Sequence, residues 1–397
     1  MACEVEWIPL GDIVNLSSGG TPDKKQPAYW DGEIPWISAK TLTGDTVTTS
    51  NLFITEEGLH AGSKLAPVGS ILLLTRGSGL FKRIPLAIVN APVAYNQDVK
   101  CMTSKVATIT NEYVFFALKA LSPELTNMLE TTGIGAGKLA TDRLLDMPIP
   151  VLSHDEREKA VSFFSALSRK IMINNRINDY LADLCETIAG KYCNDRNSCL
   201  RDICYQVTDR IDYGNANHET YVSTESLMQN KGGRQLASSL PTAGKITRYK
   251  AGDTLISNIR PYFKKIWYAP FEGTCSGDVI VFRANDPSNA PYLHACLRQD
   301  SFFDYVMQGA KGTKMPRGDK KQMMEFKVAS SCSTKDLILL DSAIKQRSDN
   351  DSETVKLQAL RDTLLPKLMS GEIDVSKVDL TQLTNNHLLV RGHNVPN

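Results

Sequence analysis

Long apolar runs are the first thing this 397-residue chain lacks: no 18 consecutive residues are uninterruptedly hydrophobic, which argues against a membrane-spanning helix. A secretory leader is not expected, because the start, Met1-Ala2-Cys3-Glu4-Val5-Glu6, is acidic and polar. Nine cysteines without a leader are expected as reduced thiols in the cytoplasm. Cys185, Cys193, Cys199 and Cys204 cluster, yet none of their spacings is CxxC, so ordinary thiols are expected there and no zinc. Six histidines (His60, His154, His218, His294, His387 and His393) show no metal-ligand spacing.

Catalytic motifs are missing too. No GxSxG, HExxH, Asn-Pro-Pro or Asp-Pro-Pro occurs. Pro22-Asp23 and Glu33 do not complete a carboxylate–lysine set of the nuclease kind. Thr132-Gly133-Ile134-Gly135-Ala136-Gly137-Lys138-Leu139 imitates a phosphate loop, but it lacks the first glycine at the required offset. It also has Leu139 where Ser or Thr would bind magnesium. A flexible loop displaying one lysine is the expectation. The chain reads as a binder with no cofactor and no metal.

What is present is a duplication. Gly11-Asp12-Ile13 is answered by Arg201-Asp202-Ile203, and Pro67-Val68-Gly69-Ser70-Ile71-Leu72 by Lys250-Ala251-Gly252-Asp253-Thr254-Leu255. A short basic turn follows each, with Arg76 in the first half and Arg260 in the second. Small polar loops, Gly135-Ala136-Gly137-Lys138 and Gly309-Ala310-Lys311-Gly312-Thr313-Lys314, precede the last strand of each half, and a long helix closes it. A repeat of about 180 residues is too long for a solenoid unit and implies two similar globular domains. The net charge of +1 is unevenly spread. Residues 1–152 hold 12 Lys+Arg against 15 Asp+Glu, net −3, and residues 201–330 hold 18 against 13, net +5.

Within the first half, Ile71–Thr75 and Leu86–Val89 read as buried strands, Glu112–Leu121 as a short helix, and Met147–Val151 as extended because of its two prolines. From Asp155 to about Gly190, Val161, Phe164, Leu167, Ile171, Ile177, Leu181, Leu184 and Ile188 form one apolar stripe behind a Ser153/Glu156 capping box. A second helix from Thr334 to Leu368 carries Leu337, Leu340 and Ile344, then Val355, Leu357, Leu360, Leu364 and Leu368. Pro366 falls in its last turn, and Lys345–Thr354 has no apolar residue, so that stretch is expected to be loosely packed or solvated. Narrow stripes on helices this long call for pairing. An antiparallel pair would separate two domains by about 50 Å at 1.5 Å per residue.

Basic clusters recur at matching places. Residues 311–321 hold five cations in eleven positions, Arg260-Pro261-Tyr262-Phe263-Lys264-Lys265 mixes cations with aromatics, and Phe81-Lys82-Arg83 and Lys24-Lys25 are fainter versions. Any one of them is an ordinary solvated loop. Their recurrence in both halves favours nucleic-acid contact, through phosphate neutralisation and a guanine edge. The candidate contacts are Arg76, Lys82, Lys138, Arg260, Lys264, Lys311, Lys314 and Arg317.

Four stretches carry a family resemblance: Tyr29-Trp30-Asp31-Gly32-Glu33-Ile34-Pro35-Trp36-Ile37-Ser38-Ala39-Lys40; Gly137-Lys138-Leu139 through Met147-Pro148-Ile149-Pro150-Val151; Asn174-Asn175-Arg176-Ile177-Asn178-Asp179-Tyr180-Leu181; and Leu360-Arg361-Asp362-Thr363-Leu364-Leu365-Pro366-Lys367-Leu368-Met369-Ser370-Gly371-Glu372-Ile373. The chain resembles, over nearly its whole length, the DNA-specificity subunit of Type I restriction–modification systems. The resemblance implies an α+β fold with two tandem α/β target-recognition domains, separated by two long helices forming an antiparallel coiled coil, with pseudo-twofold symmetry. It places the domains at 1–152 and 196–332, spacer helices at 153–195 and 333–373, and a flexible tail at 374–397. It also implies a non-catalytic subunit that reads a split, asymmetric site in double-stranded DNA. Two adenine methyltransferase subunits and motor–nuclease subunits would dock on it. The second half departs from the pattern, because Tyr221-Val222-Ser223-Thr224 is its nearest counterpart to Ile34-Pro35-Trp36-Ile37. A fused modification enzyme, a non-DNA structural adaptor and a methyltransferase-only specificity subunit are the competing readings.

Overall fold

The structure, a computed structural model, describes residues 5–373 apart from 134, 193, 194 and 196. The expected tail, Cys3, Cys193 and Ile134 of the glycine-rich loop lie outside the described residues. The chain divides at 170/171 and 355/356 into two compact units.

Ile71–Leu74 shows how the first unit is built. All four residues are buried, although strand pleating sends alternate side chains to opposite faces. Ile71 and Leu73 enter an apolar core with Tyr113 and Phe116, and Leu72 and Leu74 enter another with Ile37, Val93 and Tyr95. A strand with no polar side belongs in the middle of a sheet. It is the central strand of five, in the order Val14–Ser18, Val99–Ser104, Ile71–Leu74, Leu86–Val89, Thr46–Val47. A four-stranded sheet stands beside it, in the order Phe53–Ile54, Trp30–Ile37, Val93–Tyr95, Lys64–Ala66. The helix Asn111–Ala120 is tied to the strand Pro148–Val151 by Tyr113, whose hydroxyl donates to the Pro150 carbonyl at 2.8 Å and accepts from Leu152 N–H at 3.1 Å.

The second unit repeats this plan. Its sheets run Cys204–Gln206, Val279–Ala284, Thr254–Ser257, Ile266–Tyr268 and Arg210–Asp212, Lys245–Tyr249, Gly273–Cys275, Tyr221–Val222. Gly69 and Gly252 hold φ of +83° and +89° before equivalent strands, a conformation glycine adopts without strain. The sequence divergence at the Trp36 signature is bridged by backbone geometry. Ile37 and Val222 each precede a serine whose N–H is capped by a hydroxyl three residues on, Thr41 in one unit and Ser226 in the other, both at 2.8 Å. Tyr221-Val222-Ser223 therefore occupies the place of Trp36-Ile37-Ser38.

Two long helices, His154–Lys191 and Thr334–Met369, extend the expected bounds by one residue or so at their ends. Glu156 accepts from both the Ser153 N–H, at 3.2 Å, and the Ser153 hydroxyl, at 2.7 Å. In the first unit Phe163, Phe164 and Leu167 join Leu365, Leu368 and Met369 in one core. In the second unit Cys185, Ile188 and Ala189 join Leu340, Ala343 and Ile344.

The apolar stripe is not where the sequence put it in the stretch after Ile171. Ile177 and Leu184 are 39% and 36% exposed, and the inward positions are Asn174, Asn178, Ala182 and Cys185. The polar stretch Lys345–Thr354 is likewise not loose, since Asn350 and Thr354 are 5% and 8% exposed. Asn174 donates to Glu353 at 2.8 Å, Asn178 to Asp351 at 2.7 Å, and Asn350 to Asn178 at 2.8 Å. Facing pairs that step from 174/354 to 178/350 make the helices antiparallel.

Candidate nucleic-acid interface

In the first unit Arg76 and Lys138 are brought face to face. The strand Arg76–Gly77 pairs with Gly137–Lys138, placing Lys138 opposite Arg76, and Lys138 is also opposite Glu130 on its other side. Arg76 is exposed and Lys138 half-buried. The turn that follows exposes Phe81 and Lys82, and Arg83 donates to the Thr43 carbonyl at 2.6 Å.

The second unit builds the same edge from isolated bridges. Arg317 pairs with both Ile259 and Lys311. Thr75 N–H donates to Asp98 O and Asn258 N–H to Asp278 O, both at 2.8 Å; Leu139 N–H donates to Thr75 O and Gly318 N–H to Asn258 O. Lys138 is therefore matched by Arg317, Glu130 by Lys311, and Arg76 by Ile259. The sequence pairing of Arg76 with Arg260 is one residue out, because Arg260 occupies the place of Gly77.

Arg317 bonds to Asp278 at 3.1 Å and Lys311 lies 3.6 Å from Asp319, each with its cation well exposed. Asp319 caps the helix Lys320–Met324, and N–H bonds from Gln322 and Lys321 hold its carboxyl below the ordinary range. Lys314 is exposed at the loop tip. Sequence reasoning missed Arg210, exposed on the strand Arg210–Asp212. Its guanidinium lies about 4 Å from the position a Cβ on Gly277 would take, next to Asp278. No local pattern marks it, because the neighbourhood is created by the turn at 276–278.

Arg260 and Lys264 belong to a strained turn. Both have positive φ, 50° and 49°, as do Asn230 and Lys231 at 54° and 60°. Non-glycine residues pay roughly 1–2 kcal/mol for this conformation. The two turns meet: Asn230 N–H donates to Phe263 O and Lys231 N–H to Lys264 O, both at 2.8 Å. Lys264 is engaged by an acidic side chain. It bonds to Asp300 at 2.8 Å, and Lys231 bonds to Asp300 at 3.0 Å and to Glu186 of the first long helix at 2.9 Å. Arg298, 4% exposed, also reaches Glu186, and burial together with the nearby Arg347 brings its pKa down to about 10. In the first unit the polarity is opposite, with Arg361 of the second long helix 2.8 Å from Asp45, which also holds Lys119. Among the described residues no cluster of His, Cys, Asp and Glu is arranged for a metal, and no helix is long and apolar enough to cross a membrane.

Each unit thus carries two main sheets and a cationic edge at an equivalent backbone position. Residues 4–183 match the family of Type I restriction modification DNA specificity domains. The chain is 31% identical over 194 residues to the EcoR124I/EcoR124II Type I restriction enzyme specificity subunit of Escherichia coli, a match covering 46% of this chain and 48% of that one. The chain thus spans about half the length of that relative. It is 20% identical to the MjaIX specificity subunit of Methanocaldococcus jannaschii, over 93% of both chains. Its fold is similar to that of a solved Type-I restriction-modification system S subunit from M. genitalium. The TM-score there is 0.53 at 14% identity, over 92% of this chain and 96% of that one. Residues 4–183 thus carry a Type I restriction modification DNA specificity domain, and the chain as a whole is similar to Type I restriction enzyme specificity subunits.

Proposed function

We propose that this chain is the non-catalytic DNA-reading subunit of a cytoplasmic Type I restriction–modification complex. Each target-recognition domain, at 1–152 and 196–332, reads one half of a split, asymmetric site, and the spacer helices at 153–195 and 333–373 set the unread gap. The observation that carries this reading is the duplicated edge, where Lys138 and Arg317 occupy equivalent backbone positions in the two units. Arg76 and Lys82 flank the first. Arg260, Lys311, Lys314 and Arg210 flank the second, and Lys264 contributes only on leaving Asp300. These cations fix the domains on phosphates, and one or two of them meet base edges.

The first long helix supports partner docking. Ile173, Ile177, Tyr180 and Leu184 are all exposed and are spaced 4, 3 and 4 residues apart, so they form one apolar face. Such a face calls for a protein cover. The proposed occupants are adenine methyltransferase subunits, which would flip and modify a base that this chain has positioned, with motor–nuclease subunits joining the full complex. A complex with methyltransferase alone is the variant reading.

The test is to co-express the chain with its methyltransferase partner and map methylated adenines across the host genome. A motif with two short defined halves and a fixed gap is expected. A stable complex that methylates nothing would overturn DNA reading in favour of an adaptor role.

A further inference from the structure

The hydrogen-bonded layer in the helix pair interrupts its apolar packing. Asn174 is fully buried, and Asn178, Asn350 and Thr354 are nearly so. Gln346 donates to Asn350, Asn350 to Asn178, and Asn178 to Asp351, in a relay with distances of 2.9, 2.8 and 2.7 Å. The relay is incomplete: the Asn174 Oδ1 and Arg347 Nε atoms are buried without a hydrogen-bond partner. Apolar contacts resume at Ala182, Cys185 and Ile188 on one helix and at Ile344, Ala343 and Leu340 on the other. The layer is also open to solvent from one side. A cleft of about 560 Å³ is lined by Asn178, Arg347 and Asp351 together with Asn175, Asp179 and Arg298.

We propose that this layer is a built-in opening point of the paired helices, where water entering from the cleft replaces the Asn-to-Asn and Asn-to-Asp bonds while the flanking apolar contacts stay closed. Two physical differences support it. A hydrogen bond to water substitutes for a side-chain bond with little net change, whereas an apolar contact has no such substitute. Opening gives the Asn174 oxygen, buried without a partner in the closed layer, access to water. The cations of the cleft, Lys231, Lys264 and Arg298, are already matched by Glu186 and Asp300. The opening is a property of the free chain. Only its consequence, a helix pair able to adapt to small differences in the DNA gap, rests on the function proposed above.

Residue-resolved hydrogen exchange on the full-length chain without DNA tests this. Mid-helix amides ordinarily exchange more slowly than those near helix ends. Here the amides of 174–178 and 347–354 are expected to exchange at least about ten-fold faster than those of 182–189 and 340–344. The triple variant Asn174→Leu, Asn178→Leu and Asn350→Leu closes the layer with apolar contacts and should slow exchange there about ten-fold while leaving the flanking amides unchanged. Uniform protection along both helices of the parent overturns the proposal, since a layer that only satisfies buried groups stays shut. Fast exchange that persists in a folded triple variant overturns it as well, by placing the cause outside the layer. If that variant does not fold, Asn178→Leu with Asn350→Leu is read the same way.

Discussion

Replacing Arg317 by alanine challenges the duplicated edge most directly. Its side chain is 57% exposed and its pair with Asp278 is a surface contact, so releasing that pair to meet a phosphate costs less than about 1 kcal/mol. If Arg76, Lys138, Lys311, Lys314 and Arg317 each neutralise one phosphate, the log–log salt slope of DNA affinity is about −4.5. Affinity then falls roughly 500-fold between about 50 and 200 mM salt. Arg317→Ala brings the slope to about −3.6 and the fall to roughly 150-fold. A base-edge role has a different signature, in which the slope barely moves and discrimination at one base pair drops by about 1–3 kcal/mol. Alanine also takes away the Arg317 partner of the Asp278 carboxylate, so Arg317→Ala is compared with Arg317→Ala/Asp278→Asn to separate lost contact from added repulsion. The assay is a fluorescence-anisotropy titration of the full chain on labelled duplex across a salt series. A parent slope shallower than about −1 would refute the reasoning. So would a substitution that changes neither slope nor discrimination.

His294, 2% exposed, bonds to Thr254 at 3.2 Å, and burial, then Arg298 and Arg347, hold its pKa well below the ordinary value. The folded state therefore takes up fewer protons than the unfolded state below about pH 6.5, and stability should fall on acidification by up to about 1.4 kcal/mol per pH unit. Denaturant midpoints measured from pH 7 to 5 check this, and His294→Gln should flatten that part of the curve. Burial raises the Tyr113 hydroxyl to about 12, and the group links two elements of the first unit. Tyr113→Phe should cost about 1–3 kcal/mol in chemical denaturation, because Leu152 N–H and Pro150 C=O lose their shared partner. Asp253, 1% exposed, accepts two bonds from Arg283, at 2.7 and 2.6 Å, and one from Lys250 N–H. Asp253→Ala should destabilise the second unit by about 3 kcal/mol, and Asp253→Asn should recover part of that loss.

The parts of the fold legible in the sequence were those set by local periodicity. Ile71–Thr75 read as a buried strand by its apolar run, and the two long helices were bounded to within about two residues by their stripes and the Ser153/Glu156 start. Periodicity failed where an element faces something other than a hydrophobic core. At Ile173, Ile177, Tyr180 and Leu184 the apolar residues trace a clean helical face, yet that face is exposed while Asn174 and Asn178 point inward. A hydropathy pattern cannot distinguish a stripe meant for the partner helix from one left for another chain. The polar stretch of the second helix likewise gave no sign that its hydrogen-bond partners stand more than 170 residues earlier.

Registers between distant strands were equally invisible. Arg76 and Arg260 follow similar strands in similar turns, but the backbone bonds of Thr75 to Asp98 and Asn258 to Asp278 show that Arg260 falls one place later. That single step changes the chemistry of the two edges. The first unit presents Arg76 and Lys138 beside the acidic Glu130, whereas the second presents Lys311 and Arg317 beside the apolar Ile259. Duplication kept the backbone that carries the cations and exchanged the residues around them. On the function proposed above, the two domains would then offer different faces to the same polymer, one to each of two unlike half-sites. Transplanting Glu130 to position 311 tests this: Lys311→Glu should weaken binding through the second half-site alone, lowering the salt slope by about 1 while leaving methylation specificity at the first half unchanged. Equal loss at both halves would mean that the edges do not act separately.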